Sequence, residues 1–305
     1  PNNFKIALPK KLSSMSTYIC TEQGDWFEDD IKFTRKYISE GMIVIDIGAN
    51  FGFYSLSFSK LVGKTGKVFS FEPDINLNSY LYESVKFNNI KNIVFENTVL
   101  SNNSGVVDFY LSNNSELNSK TYNKDIHSSK VSVISKTLDI CYKENNWRKV
   151  DFIKIDAEGE ELNILKGSDK FLREQSPLIM IECSHLSFKN LLHILHSYGY
   201  KFFRLVKELD LLVPLENENF VSLNIFCCKE EKIKELQKKD LLLKDIEEKK
   251  FFIKKDLWIN HFEKLEFSKK LSNIWVKNIT NIDNDTNKYI EAINLYCESL
   301  DNKYS

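Results

Sequence analysis

The chain alternates between short unbroken apolar runs and longer stretches with an apolar residue at every third or fourth position. Residues 42–47, 67–71, 92–97, 150–155, 178–182, 200–206 and 220–228 are runs of the length expected for strands buried on both faces. Between them, 52–62, 76–88, 160–172 and 189–198 carry helical spacing. An earlier amphipathic helix starts at Asp25, with Trp26, Phe27, Ile31, Phe33, Tyr37 and Ile38 as its apolar set and Gly41 as its stop. Residues 1–25 read as irregular.

Repeated β-α alternation predicts an α/β fold, a mostly parallel seven-stranded sheet covered by helices on both faces. Two places depart from it. Asn102-Asn-Ser-Gly105 turns the chain into a predicted hairpin, 106–111 with 131–134, around a polar loop at 112–130. The helix-poor connection at 207–219 predicts an antiparallel pair at one edge. After Cys228 the texture changes to a charged helix, 229–250, with Ile233, Leu236, Leu243 and Ile246 as its stripe, followed by aromatic helical sequence. Three parts result: a leading segment (1–40), a main domain (41–228) and a helical appendage (229–305). The stripe of the appendage suits packing on the main domain, a homo-oligomer, or docking within an enzyme complex.

Charge narrows the partners. The chain has 305 residues, with 42 Lys and Arg against 43 Asp and Glu, so no overall field gathers phosphates and a nucleic-acid partner is not expected. Its six cysteines show no CxxC spacing and read as reduced thiols. No apolar run approaches the roughly 20 residues of a membrane span, and the first residues show no signal-peptide pattern. A cytoplasmic protein is expected.

The candidate chemistry sits at strand ends. Asp46, Glu72 and Asp156 each follow a separate strand, and Glu182 follows a fourth. Ligands of open parallel sheets bind beyond those ends, so four acids there point to one shared site. The first turn, Asp46-Ile-Gly48-Ala-Asn50-Phe-Gly52, differs from the dinucleotide pattern G-x-G-x-x-G. An acid before the turn would repel a pyrophosphate but would suit a cationic amino-acid group. S-adenosylmethionine carries an ammonium, a sulfonium and a ribose whose hydroxyls Glu72 can accept. The charge therefore favours that cofactor over NAD.

The second block is Asp151-Phe-Ile-Lys154-Ile-Asp156-Ala-Glu158-Gly159-Glu160-Glu161. A lysine in an apolar strand must be paired, so Lys154 serves either a structural ion pair or catalysis. If such a cofactor hands its methyl to a neutral hydroxyl, a base is needed beside the acceptor. Asp156, Glu158, Glu182 and His185 are the candidates. Metal-free transfer is the reading, with a divalent cation held by Asp156 and Glu182 as its alternative. His127, Tyr110 and Tyr122 are loop residues that could reach an acceptor.

Taken in order, Val44-Ile-Asp46-Ile-Gly-Ala-Asn50-Phe-Gly52, Phe71-Glu72-Pro73, Thr137-Leu-Asp139 and Ile153-Lys154-Ile-Asp156-Ala-Glu158-Gly159-x-Glu161 resemble the FkbM family of methyltransferases. The resemblance runs from about Glu28 to His185 and more weakly to Cys228. Alanine at 157 departs from the family's usual valine. The resemblance implies a class I S-adenosylmethionine-dependent fold. It implies that Asp46, Gly48, Asn50 and Gly52 surround the methionine part, that Glu72 and Pro73 lie at the ribose, and that Asn97, Thr98 and Val99 lie beside the adenine. It also implies that Glu28 approaches the cofactor, and that the acceptor is a hydroxyl of a sugar, a glycan or a glycosylated metabolite.

Three other functions fit less well. An NAD-linked oxidoreductase is disfavoured by Asp46 and Asn50. A nucleic-acid methyltransferase would carry an Asn/Asp-Pro-Pro-aromatic turn where this chain has Asp156-Ala-Glu158-Gly159. A scaffold acting through 229–305 would not need Asp46 or Glu72.

Overall fold

The computed structural model describes residues 4–10, 14–112, 118–120, 123–124, 127–184, 187–207, 209–215 and 224–243. The chain divides into two compact units, 1–244 and 245–305, and every described residue belongs to the first. The part of the expected helical appendage beyond 243 therefore lies outside the described residues, as do His185 and Tyr122.

Two helices lead, α1 (Met15–Gln23) and α2 (Asp29–Tyr37). Then β1 (Ile43–Ile47), α3 (Phe53–Val62), β2 (Lys67–Phe71), α4 (Ile75–Phe87) and β3 (Ile93–Glu96) alternate. Next come β4 (Thr98–Leu100), β5 (Gly105–Ser112), β6 (His127–Lys136) and α5 (Leu138–Glu144). The second half runs β7 (Phe152–Ile155), α6 (Glu161–Lys166), α7 (Asp169–Glu174), β8 (Leu178–Glu182) and α8 (Phe188–Ser197). It closes with β9 (Lys201–Val206), β10 (Leu211–Pro214), β11 (Asn224–Cys228) and α9 (Glu230–Lys238).

The main sheet has the order β10-β9-β11-β8-β7-β1-β2-β3. Pairings from β3 through β8 are parallel, while β11 runs antiparallel to both β8 and β9. Side chains alternate along each strand, so the sheet has two apolar faces. Ile45, Ile153 and Ile179 enter one core with α5 to α8, and Val44, Phe152 and Leu178 enter the other with α2, α3 and α9. Each fully buried Phe or Ile contributes roughly 1.5–3 kcal/mol. This alternation also places the chemistry. Asp46, Lys154, Asp156 and Glu182 continue the Val44 and Phe152 face as the strands run out.

The structure corrects the sequence reading in several places. An eighth strand, β10, turns back on β9 through Asp210, whose φ is +48°. Pro214 is tolerated there because one side of the strand needs no amide donor. On the far side, Leu212 exchanges backbone hydrogen bonds with Leu241 and Leu243, so the segment after α9 covers this edge. Residues 15–23 are helical, not irregular. Met15 and Tyr18 are exposed while Ser16 and Ile19 are buried, a helix with no apolar stripe to betray it. The second helix begins at Asp29 rather than Asp25. Asp25 instead pairs with Arg35 at 2.6 and 2.7 Å and pins an extended segment carrying Trp26 and Phe27. The expected helix over 160–172 is two short helices split at Gly167, where a Cβ would collide with the backbone of Ser101. The charged helix expected over 229–250 ends at Lys238, and it buries Ile233 and Leu236 in the second core. The hairpin of β5 and β6 forms as expected and joins β4 in a three-stranded sheet.

Candidate active site

A cleft opens over the carboxyl ends of β1, β2, β7 and β8, where an open parallel sheet presents ligands. It holds about 1210 Å³ of free space, counting its open mouth.

The first turn forms one end. Gly48 and Ala49 N–H both donate to Phe71 O at 3.0 Å, which ties the turn to the end of β2. Asn50 N–H donates to Glu72 Oε2 at 2.8 Å, Phe51 N–H to Asn50 Oδ1 at 2.8 Å, and Gly52 N–H to Ala49 O at 2.8 Å. Every amide from Gly48 to Gly52 is thus engaged, and a pyrophosphate would find no donors here. Gly48 adopts φ +74°, and a Cβ on it would run into the backbone carbonyl of Asp156. Only glycine lets the β1 and β7 turns pack this closely.

Glu72 lines the cleft while only 5% exposed. Its Oε1 accepts from Asp74 N–H at 2.9 Å and its Oε2 from Asn50 N–H. Burial pushes its pKa up to about 7, against the lowering effect of those two amides. Each oxygen keeps a lone pair for a ribose hydroxyl. Pro73 follows it in the wall. Val99, Leu100 and Phe109 make an apolar part of the same wall, with Thr98 next to Val99 in the chain. Asn118 closes this end, donating to Asp74 Oδ2 at 2.9 Å and accepting from Ser112 N–H at 2.7 Å.

The other end is built from β7 and β8. Lys154 and Asp156 are two apart on one strand and so share a face, with Lys154 Nζ 2.9 Å from Asp156 Oδ2. Lys154 is the cross-strand partner of Asp46, whose Oδ1 is 3.8 Å from Nζ, and Nζ also donates to Gly48 O at 3.3 Å. Burial pulls the lysine down, but Asp156 and Asp46 outweigh it and hold Lys154 above the ordinary lysine value, so it stays cationic. Tyr54 packs its ring 5.1 Å from Nζ and donates its hydroxyl to Glu28 Oε2 at 2.6 Å.

Glu182, one strand over, is hydrogen-bonded to Asp156. Burial first, then the Asp156 charge and that hydrogen bond, push Glu182 up to about 9, with Glu158 and Glu161 adding to the field. Glu182 is therefore protonated at neutral pH.

Residues 157–160 form a tight turn, Glu160 N–H donating to Ala157 O at 3.2 Å. Glu158 (φ +49°) and Gly159 (φ +97°) both sit in the left-handed region. Glu161 Oε1 clamps the turn, accepting from Ala157 N–H at 2.9 Å and Gly159 N–H at 3.1 Å. Glu160 accepts from Ser101 Oγ at 2.8 Å and pairs with Lys120 at 3.3 Å.

The structure brings most of the sequence candidates to one cleft. Glu28, Gly48, Asn50, Glu72, Pro73, Thr98, Val99, Lys154, Asp156, Glu158 and Glu182 all line it. Three of the catalytic and cofactor candidates lie off the wall, as does Tyr110. Asp46 is fully buried beneath the turn, its Oδ2 accepting from Ser55 Oγ at 2.6 Å, so it shapes the site through Lys154 rather than by direct contact. Gly52 starts α3 against Leu81, where a Cβ would collide. Asn97 is exposed, because the chain turns there from β3 into β4. Among the described residues, no three His, Cys, Asp or Glu side chains are grouped to hold a metal ion. The sequence reading missed Trp26, Phe27, Tyr54, Phe109, Asn118 and Lys120 in the wall. Of these, only Trp26 and Phe27 stood out in the chain, as apolar residues next to Glu28.

The strand order, with a carboxylate-lined cleft over β1, β2 and β7, is that of a class I Rossmann-like fold. The family described as the Methyltransferase FkbM domain matches residues 46–202, and the chain belongs to that family. Among solved structures, the methyltransferase FkbM of Methylobacillus flagellatus KT is 18% identical with a TM-score of 0.43, covering 62% of this chain and 44% of that one. The chain thus spans less than half of that protein. A SAM-dependent O-methyltransferase of Thermotoga maritima is 13% identical with a TM-score of 0.39, covering 69% of each chain. Aeropyrum pernix fibrillarin, solved with natively bound S-adenosyl-L-methionine, is 13% identical with a TM-score of 0.37, covering 62% of this chain and 67% of that one. No curated protein matches. No helix among the described residues is long and apolar enough to cross a membrane.

Proposed function

We propose that this chain is an S-adenosylmethionine-dependent O-methyltransferase acting on a hydroxyl of a sugar, a glycan or a glycosylated metabolite. The observation that carries the reading is the Asp156–Glu182 pair, placed across one cleft from the ribose-type acceptor Glu72. The residues fit the cofactor: Glu72 offers two carboxylate oxygens, Val99, Leu100 and Phe109 offer an apolar wall, and the first turn offers no anion site. When bound, the cofactor supplies a methyl on a sulfonium, an electrophile with its leaving group already charged.

The chain must then align an oxygen and remove its proton. Lys154 stays cationic and holds Asp156 at 2.9 Å. Asp156, one-third exposed in the cleft, takes the hydroxyl proton as the oxygen attacks. Glu182, itself raised by burial and the Asp156 charge, stands beside it as a second acid at the reacting oxygen. The Glu161 clamp fixes the turn that carries Glu158 to the same wall.

Calorimetry with S-adenosylmethionine and with NAD separates this from a dinucleotide enzyme; binding of NAD alone overturns it. Mass spectrometry of glycans and metabolites made with and without the protein should show the loss of one methyl from some pool. No such loss defeats the transferase reading.

A further inference from the structure

Asp156 is joined to the Phe27–Glu28 segment through Lys154 and Tyr54, and this half of the cleft has two kinds of wall. One is aromatic. Phe27, 46% exposed, stands 5.0 Å from Trp26, which stacks on Phe53 at 4.2 Å and 22°. The segment is held by the Asp25–Arg35 pair, so Phe27 presents its ring from a fixed support. The other wall is acidic: Glu28, Asp156, Glu158 and Glu182.

What the lining lacks matters as much. Lys120 and Lys154 are its two cations among the described residues, and both are engaged, Lys120 by Ser101 and Glu160, Lys154 by Asp156 and Gly48 O. The amides of Ala157 and Gly159, which a phosphate would seek in such a turn, are taken by Glu161. Among the described residues an anion entering here meets four carboxyl side chains and only cations that already have carboxylate partners. The proton retained on Glu182 reports the same negative field.

We propose that this half takes a polyhydroxylated acceptor that carries no anionic group, laid with an apolar face on Phe27 and its hydroxyls toward the carboxylates. This rests on the reading that the other half holds S-adenosylmethionine. A ring with an apolar face and a hydroxyl rim matches an aromatic wall facing hydrogen-bond acceptors. A phosphorylated or carboxylated version of the same ring would bring like charge into the acid wall, which selects against it.

Saturation-transfer difference NMR tests this on the full chain with S-adenosylhomocysteine present. The probes are methyl α-glucopyranoside, glucosamine, glucose 6-phosphate and glucuronic acid. The first two should receive saturation from aromatic protons, and the two anions about tenfold less or none. Phe27→Ala, checked for folding by circular dichroism, should reduce transfer to the first two several-fold. Equal transfer to glucose 6-phosphate, no transfer to either non-anionic probe, or an unchanged signal in Phe27→Ala overturns the proposal. The adenine signals of S-adenosylhomocysteine in the same sample report the other half. Their failure to show binding defeats the cofactor reading, whereas the wrong order of sugar probes with the adenine bound defeats only this one.

Discussion

Glu72 and Glu182 stand at the ends of two strands of one sheet, both in the wall of one cleft, and both are held above the ordinary carboxylate range. Their surroundings differ. Glu72 meets two backbone amides, which fix both oxygens and draw its pKa back to about 7. Glu182 meets Asp156, a second carboxylate, and rises to about 9. Amides cannot move a proton, so the first site is a rigid acceptor. A protonated carboxyl beside a second acid can exchange its proton. On the proposed reading the same side chain serves recognition at one end and chemistry at the other, and its neighbours decide which.

The turns carrying the two ends give the sharpest way to break this comparison. Gly48 has no room for a methyl against the Asp156 carbonyl, whereas Gly159 has nothing within 4 Å of an added Cβ. Both adopt positive φ, at +74° and +97°. Gly48→Ala should force β1 and β7 apart, costing about 3 kcal/mol or more and abolishing cofactor binding. Gly159→Ala should cost only the backbone strain, about 1–2 kcal/mol, with cofactor affinity kept. Thermal unfolding and calorimetry of both read the contrast. Equal costs would show that the close approach of the two turns does not matter.

Next in size is the chemistry itself. Asp156→Asn keeps the shape of the site but removes the charge that takes the proton. We expect kcat to fall about 10²–10⁴-fold, with cofactor affinity within about threefold, since Glu72 is untouched. A full-rate Asp156→Asn enzyme would move the base elsewhere in the acid wall. The pair also predicts a loss of rate for Glu182→Gln that is smaller, because that side chain does not take the proton.

Much of this site was legible because strand periodicity is local. Lys154 and Asp156 must share a face, and Asp46 and Glu72 must stand at strand ends, once the apolar runs are recognised. The less legible parts depend on groups distant in sequence. Glu161 looks like one more acid at a helix start, and only the folded turn shows it clamping Ala157 and Gly159 N–H. Asn118 lies in a polar loop, and its partner Asp74 is 44 residues away. The first helix was hidden because its buried residues, Ser16 and Ile19, make no apolar stripe. Strand β10 was hidden because its edge is completed by Leu241 and Leu243, beyond a helix.

The recognition end should reveal itself by pH. The raised pKa of Glu72, about 7, means its carboxyl is protonated below that value and ionised above it. Ribose hydroxyls donate to the ionised form, so affinity for S-adenosylhomocysteine should fall about tenfold between pH 8 and pH 6 as Glu72 gains its proton. Below pH 7 binding should release close to one proton, seen as a buffer-dependent heat. Glu72→Gln should bind more weakly at pH 8 and lose the pH dependence. Retention of that dependence in Glu72→Gln would assign it to another group.

The smallest expected effect sharpens the role of the lysine between the two ends. Tyr54 does two things: its hydroxyl donates to Glu28 at 2.6 Å and its ring lies 5.1 Å from Lys154 Nζ. Tyr54→Phe removes only the first. Glu28 is partly exposed and water can replace the lost donor, so the cost should be about 0.5–1.5 kcal/mol, with little change in kcat. Tyr54→Leu removes the ring as well, taking away the aromatic face against a buried cation, worth up to about 2 kcal/mol when desolvated. If the ring steadies Lys154, Tyr54→Leu should lower kcat as well as stability and shift the pH profile of kcat. Equal kcat in the two variants would mean that Asp46 and Asp156 hold the lysine without help from the ring.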